Sequence, residues 1–264
     1  MNMQNRIDKL FEKKKENILS VFFTAGYPNL NDAISIIEKL DKSGADLIEI
    51  GIPFSDPIAD GPVIQKSSEI ALKNGMSLKL LFKYLEKLRT KNEIPVLLMG
   101  YLNSIEQFGL EEFYKQCSRI GIDGIIIPDL PLDEFSKFHQ SLSEKYNIHV
   151  VFLISGDTKP ERVKLIDEAS KGFLYLVSSN STTGGSKGIA TNFSERISAI
   201  KITELKNPIM IGFGIKGQKE FSRACELVNG AIIGSAFVEL LEKSDNFEND
   251  IKNFVLNVKN KFVN

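Results

Sequence analysis

The chain has 264 residues, 42% hydrophobic and 25% charged, an ordinary globular composition with enough length for one sizeable core. The 33 Lys and Arg against 34 Asp and Glu leave a net charge of −1, which argues against a nucleic-acid surface or an anionic membrane as partner. Any ligand must then be recognised by a local constellation of groups.

In chain order, the first segment, "MNMQNRIDKLFEKKKE", is amphipathic and charged and lacks the apolar centre of a signal peptide. No later run approaches membrane-spanning length, so a cytoplasmic protein is expected. Eight short apolar runs follow: "ILSVFFTA", "ADLIEIGI", "IPVLLMGY", "IDGIIIPD", "IHVVFLIS", "GFLYLVSS", "NPIMIGFG" and "NGAIIGSA". Each is too short for a helix, and most are rich in Val, Ile and Phe, which reads as strand. Segments of helical period lie between them, including "LNDAISIIEKLDKSG", "LKLLFKYLEKLRTK", "LEEFYKQCSRIG", "PLDEFSKFHQSLSEKY" and "QKEFSRACELVNG"; several stop at Gly. Strands that are apolar throughout belong in a parallel sheet covered by helices. Eight such units predict an α/β fold, a closed (β/α)8 TIM barrel forming a single domain over residues 1–264, with an open doubly wound sheet as the alternative. Cys117 and Cys225 show no CxxC spacing and only His139 and His149 supply imidazoles, so reduced structural thiols are expected and a metal centre is not.

A barrel carries its chemistry at the C-terminal ends of its strands. The unusual residues of this chain fall there. Glu49 lies near the end of the second run, and "GIPFSDPIADGP" follows it with Asp60 in a loop stiffened by Pro53, Pro57 and Pro62. After the sixth, seventh and eighth runs come "SSNSTTGGSKG", "GFGIKG" and "GSA", whose small residues let backbone N–H groups approach an anion. With a helix starting behind Gly234 and Ser235, they predict a phosphate site late in the chain. Two decoys are set aside. "GFGIKG" satisfies G-x-G-x-x-G, but the next strand ends without an acidic residue for a ribose; "GGSKG" satisfies G-x-S-x-G, but Ser186 sits deep in a polar loop.

Taken together, "FFTAGYP", "IEIGIPFSDPIADGPVIQ", "GIDGIIIPDLP", "YLVSSNSTTG", "GFGI" and "GSA" resemble, in order, the successive signature segments of the tryptophan synthase α chain family. They spread from about residue 20 to residue 240. The resemblance implies a barrel that cleaves indole-3-glycerol phosphate to indole and glyceraldehyde 3-phosphate. It implies no cofactor in this chain, and as partner a tryptophan synthase β chain that carries pyridoxal phosphate, in an α2β2 heterotetramer.

That chemistry gives the two carboxylates separate tasks. Retro-aldol cleavage needs a proton delivered to the ring carbon and a side-chain hydroxyl deprotonated, and Glu49, flanked by Ile48 and Ile50, is the expected proton carrier. Asp60 is expected to accept the indole N–H and stabilise the positive charge that develops on the ring. Taken without the resemblance, Asp60 reads equally as a turn or capping residue. Phe22, Phe213 and Ile232 are candidate apolar walls for the indole, and equally candidate core residues. By resemblance, Tyr175 approaches the substrate with its hydroxyl, Thr183 and Gly184 belong to a mobile loop whose threonine orients the glutamate, and Gly214, Gly234 and Ser235 hold the phosphate. Departures from the family pattern are Ser181, where many members have Gly, "SGDT" after the fifth run, and "GYLNSIEQFG", which lies where a partner docks. Phe54 and Asp56 are expected to present a semi-rigid contact surface to that partner. The alternatives are a stand-alone lyase that releases indole, or a non-catalytic barrel that regulates the β chain.

Overall fold

The computed structural model describes residues 4–177, 205–212 and 214–259. The eight apolar runs form β1 (Ile18–Thr24), β2 (Leu47–Gly51), β3 (Val96–Met99), β4 (Gly124–Ile126), β5 (His149–Ser155), β6 (Leu174–Val177), β7 (Ile209–Gly212) and β8 (Gly230–Ile233). They pair in parallel and in chain order, and β8 closes back onto β1. The (β/α)8 expectation holds, and the open sheet is excluded. The strands are apolar on both sides because both sides are buried, one against the barrel interior and one against the helices.

Two of the Gly stops hold, while the helix Gln218–Cys225 ends short of Gly230, which begins β8 instead. The helix Ala33–Ser43 ends at Gly44 (φ 92°) and Leu110–Ile120 ends at Gly121 (φ 81°), where left-handed backbone is needed. Two periodic segments are less uniform than their sequence suggests. In "LKLLFKYLEKLRTK" the α-helix Leu78–Tyr84 tightens into a 3-10 stretch, Leu85–Thr90. There Arg89 turns its guanidinium inward to the carbonyls of Asn92, Ile94 and Gly121 and to Asp123 Oδ2 at 2.6 Å. The helical stretch 132–146 widens into a π turn at Phe135–His139, where His139 Nδ1 lies 3.1 Å from the Tyr114 hydroxyl.

The charged N-terminal segment forms the helix Arg6–Lys13, capped by Asn5, whose Oδ1 accepts from Ile7 N while its Nδ2 donates to the Asp123 carbonyl at 2.8 Å. Ile7 is fully buried against Gly124 and Gly172, where an added Cβ would stand 3.0 Å from Ile7 atoms. This helix closes the N-terminal end of the barrel, so access is from the C-terminal end. Among the described residues no helix is long and apolar enough to cross a membrane.

Candidate active site

Glu49 stands in register with Phe22 of β1 and with Leu97 of β3. Its side chain is fully buried in the barrel interior. Ser20 Oγ donates to Glu49 Oε1 at 2.8 Å, and among the described residues Oε2 is the one buried side-chain polar atom without a partner. Burial raises its pKa from 4.5 to about 8, against a smaller downward pull from the Ser20 bond. An acid in that state holds its proton at neutral pH and can deliver it.

Asp60 reaches the same end of the barrel from the loop after β2. Its amide bonds the Pro57 carbonyl at 3.0 Å, and Pro62 then starts the helix Pro62–Lys73, where its missing N–H leaves no gap. The Asp60 carboxyl accepts from the Tyr101 hydroxyl at 3.1 Å. Burial lifts its pKa from 3.8 to about 6, with the Tyr101 bond acting in the opposite direction. The two carboxyls therefore differ at neutral pH: Glu49 is mostly protonated and Asp60 mostly ionised. Phe54 stacks on Tyr101 with centroids 5.1 Å apart and planes 25° apart, so it is part of the loop's footing and only half-exposed. The apolar residue that the loop turns outward is Ile58, 86% exposed, beside exposed Asp56.

A cavity of 370 Å³ opens above the barrel centre. Phe22, Asp60, Tyr175 and Ile232 line it, together with Gly214, Gly234 and Ser235. Glu49 lies beneath this cavity and is not part of its surface. Two glycines make room for the aromatic walls: a Cβ on Gly51 would stand 2.5 Å from the Phe22 ring, and one on Gly212 would stand 2.1 Å from the Tyr175 hydroxyl oxygen. Burial pushes the Tyr175 hydroxyl well above its ordinary pKa, and the charges of Glu49 and Asp60 push it further, so this phenol lies in the field of both carboxyls. At the late end, the helix Ser235–Lys243 begins at the cavity wall; the Phe237 and Val238 amides close onto the Gly234 carbonyl. The amides of Ser235 and Ala236 precede those first bonds and have no intrahelical acceptor. Gly214 takes φ 76°, and the neighbouring Lys216 brings a cation to the same cavity.

The structure thus brings together Glu49, Asp60, Phe22, Tyr175, Gly214, Ile232, Gly234 and Ser235. Thr183, Gly184 and Phe213, like Ser181 and Ser186, lie outside the described residues. Sequence reasoning missed Ser20, Tyr101, Met99 and Lys216. Ser20 had a signal, a hydroxyl inside the apolar run "ILSVFFTA"; so did Tyr101, which closes "IPVLLMGY" where a barrel gathers its chemistry. Both histidines serve the scaffold, His139 against Tyr114 and His149 with Nε2 2.9 Å from Asp8 Oδ1.

Comparison with known proteins places this geometry. The family profile described as tryptophan synthase alpha chain matches residues 9–263. The tryptophan synthase alpha chain of Flavobacterium psychrophilum is 51% identical over 254 residues, covering 95% of this chain and 98% of that protein. That of Bacteroides fragilis is 47% identical, covering 94% of each. Among solved structures, tryptophan synthase subunit alpha from Legionella pneumophila matches with a TM-score of 0.87 at 34% identity, over 98% of both chains. A tryptophan synthase from M. tuberculosis in an aminoacrylate-bound form matches with a TM-score of 0.84 at 25% identity, over 97% of this chain and 98% of that one. Since the match runs through all eight strands and both carboxyl-bearing segments, the chain belongs to the tryptophan synthase alpha chain family.

Proposed function

We propose that this chain cleaves indole-3-glycerol phosphate to indole and glyceraldehyde 3-phosphate, the α reaction of tryptophan synthesis, with Glu49 as proton carrier and Asp60 as the anchor of the indole nitrogen. One observation carries the assignment of roles: two carboxyls at the same end of the barrel have environments that push their pKa values to different sides of neutrality, near 8 for Glu49 and near 6 for Asp60. Protonated Glu49 delivers its proton to the ring carbon that bears the side chain. The positive charge that appears on the ring is met at N–H by the Asp60 carboxylate. The carbon–carbon bond then breaks as the side-chain hydroxyl gives its proton to the Glu49 carboxylate, which restores the acid. Protons balance over the cycle, and Glu49 ends as it began.

The remaining groups bind. Phe22 and Ile232 supply apolar walls for the indole, and Tyr175 offers its hydroxyl. Gly214, Gly234 and Ser235, with the open amides at the start of the helix Ser235–Lys243 and the Lys216 ammonium, suit a phosphate. Thr183, Gly184 and Phe213 complete the proposed set from outside the described residues. In this reading the chain acts as a single domain in the cytoplasm, supplies all its own proton chemistry without a cofactor, and passes indole to a tryptophan synthase β chain in an α2β2 assembly. The M. tuberculosis likeness, to a tryptophan synthase in an aminoacrylate-bound form, supports such a partner. The test is indole release from indole-3-glycerol phosphate with and without added β chain. Release that rises with β chain supports the full reading; release indifferent to it leaves a stand-alone lyase, and no release in either case overturns the catalytic assignment.

A further inference from the structure

β1 is apolar along its length except for two hydroxyl residues, Ser20 and Thr24. Thr24 is accounted for locally, since its Oγ1 lies 2.6 Å from Ser67 Oγ on the helix that follows the Asp60 loop. Ser20 has no such neighbour. It is fully buried in the barrel interior, and among the described residues the partner of its hydroxyl is Glu49 Oε1 at 2.8 Å. A hydroxyl in this position is costly to bury unless its hydrogen bond is kept, so its presence in an otherwise apolar strand asks for a reason.

The register supplies one. Ser20 pairs with Leu47, two residues before Glu49, so it belongs to the layer of the barrel below the carboxyl, toward the end closed by the N-terminal helix. The bond therefore reaches Glu49 from the sealed side. Oε1 is occupied from beneath, and Oε2, buried and without a partner, is the oxygen left for a molecule entering from the mouth. We infer that Ser20 is the positioning residue for Glu49: by donating to Oε1 it makes Oε1 the carbonyl oxygen of the acid and fixes Oε2 as the atom that carries the proton to the substrate and takes it back. This rests on the proposal that Glu49 is the proton carrier.

The chemistry follows from what a hydroxyl can donate. When Glu49 is protonated, a Ser20 O–H directed at Oε1 requires a lone pair there, which places the acid proton on Oε2. When the proton has left, the same O–H donates to a full negative charge and the bond strengthens. Ser20 thus holds the carboxyl in one orientation through both halves of the cycle and favours its ionised form. Among the described residues, the other titratable group that faces this carboxyl is the Tyr175 hydroxyl from β6, which also lies in the field of Asp60 from the loop after β2. The flanking register positions, Phe22 and Leu97, carry none.

The experiment compares Ser20→Ala, Ser20→Thr and Glu49→Gln with the parent chain, following indole release across pH 5 to pH 10 and, separately, titrating the Glu49 carboxyl band in the ligand-free protein by infrared difference spectroscopy, with the Glu49→Gln chain as the blank. In Ser20→Ala, kcat is expected to fall by about tenfold with KM within about twofold, because the bond matters during proton transfer and not in binding. The alkaline limb and the infrared midpoint should both move up by about one pH unit, since a bond that favours the ionised acid has been removed. Ser20→Thr, which keeps the hydroxyl, should restore both. If the alanine chain does not fold, Ser20→Cys, similar in size but a weak donor, should move limb and midpoint the same way. A folded variant lacking the hydroxyl whose limb and midpoint match the parent overturns the inference. Full turnover in Glu49→Gln would instead overturn the proton-carrier reading, while the infrared midpoint would still decide whether Ser20 governs that carboxyl.

Discussion

The Tyr101 hydroxyl ties the backbone of the loop after β2 to its carboxylate, accepting from the Ala59 amide at 2.9 Å and donating to Asp60 Oδ2 at 3.1 Å. The donated bond favours the ionised form of Asp60 and offsets part of the rise caused by burial. Tyr101→Phe removes that bond and keeps the ring that stacks on Phe54. The Asp60 pKa should then rise above its present value of about 6. Because the proposed role of Asp60 needs it ionised, the acid limb of kcat/KM should move up by about half to one pH unit, so the loss is larger at pH 6 than at pH 8. The substrate phosphate titrates in the same range but equally for both chains, so the difference between the two profiles reports Asp60. Superimposable acid limbs would remove Tyr101 from the account.

Glu49→Gln separates the proton from the shape of the side chain. The amide neither delivers nor recovers a proton, so indole release should fall by about a hundredfold or more while the fold is kept. Stability adds an independent check. The folded pKa lies near 8 and the unfolded one near 4.5, so the folded chain binds the proton more tightly throughout that window. The stabilisation this gives is fully present below pH 4.5, is lost as pH rises toward 8, and is gone above it. Glutamine has no such loss. The variant should gain on the parent by at most about 1.4 kcal/mol for each pH unit crossed, reaching a few kcal/mol at pH 9. Urea unfolding at pH 5, pH 7 and pH 9 measures it. A constant difference across the three would contradict a carboxyl buried in its neutral form.

Two glycines in the site should fail differently. A Cβ on Gly212 would stand 2.1 Å from the Tyr175 hydroxyl oxygen, so Gly212→Ala must displace that ring and should lower both stability, by about 1 to 3 kcal/mol, and turnover. Gly234 has φ −111°, outside the left-handed region, and a Cβ there would meet the Phe22 ring at an ordinary 3.5 Å. Gly234→Asp should therefore fold, yet raise KM by about tenfold or more, because a carboxylate would face the substrate phosphate at the helix start. Melting temperature and KM measured together distinguish the two. An unchanged KM in Gly234→Asp would remove the phosphate site from this end of the cavity.

How far these features were legible in the sequence depended on whether they were local. The eight strands were readable because burial on both faces turns a parallel strand into an unbroken apolar run, and Gly44 and Gly121 marked helix ends because left-handed backbone favours glycine there. Glu49 stood out as a charge inside such a run. Asp60 did not stand out without the resemblance, since nothing local separates it from an ordinary turn aspartate; the hydroxyl that bonds it comes from Tyr101, 41 residues away in sequence. Ser20 showed as a hydroxyl inside an apolar run, but its meaning resides in a carboxyl 29 residues on. Phe54 was expected to face a partner from a loop stiffened by its prolines, but Tyr101 offers it an aromatic face, and Ile58 takes the exposed position. The tightening at Leu85–Thr90 follows from where Arg89 finds acceptors, which no periodicity records.

That exchange between Phe54 and Ile58 suggests how a β chain would influence turnover. Pro53 is buried at the root of the loop, Phe54 rests on Tyr101, and Tyr101 holds Asp60, so a push on the exposed tip is passed to the carboxylate through packed groups. Ile58 is the apolar group at that tip, 86% exposed and clear of the cavity wall. A partner that covers it and favours the arrangement with Asp60 in place would shift the loop's population and speed the reaction. A coupling of about 1 to 3 kcal/mol corresponds to an acceleration of roughly one to two orders of magnitude. Ile58→Ala should leave the rate of the isolated chain as it is and reduce the acceleration at a given β-chain concentration. Pro53→Ala, which loosens the root, should reduce the acceleration more than the basal rate. Both rates are read from one titration of β chain against each variant. If Ile58→Ala is accelerated as fully, and at the same β-chain concentrations, as the parent, the loop tip is not the route by which the partner reaches Asp60.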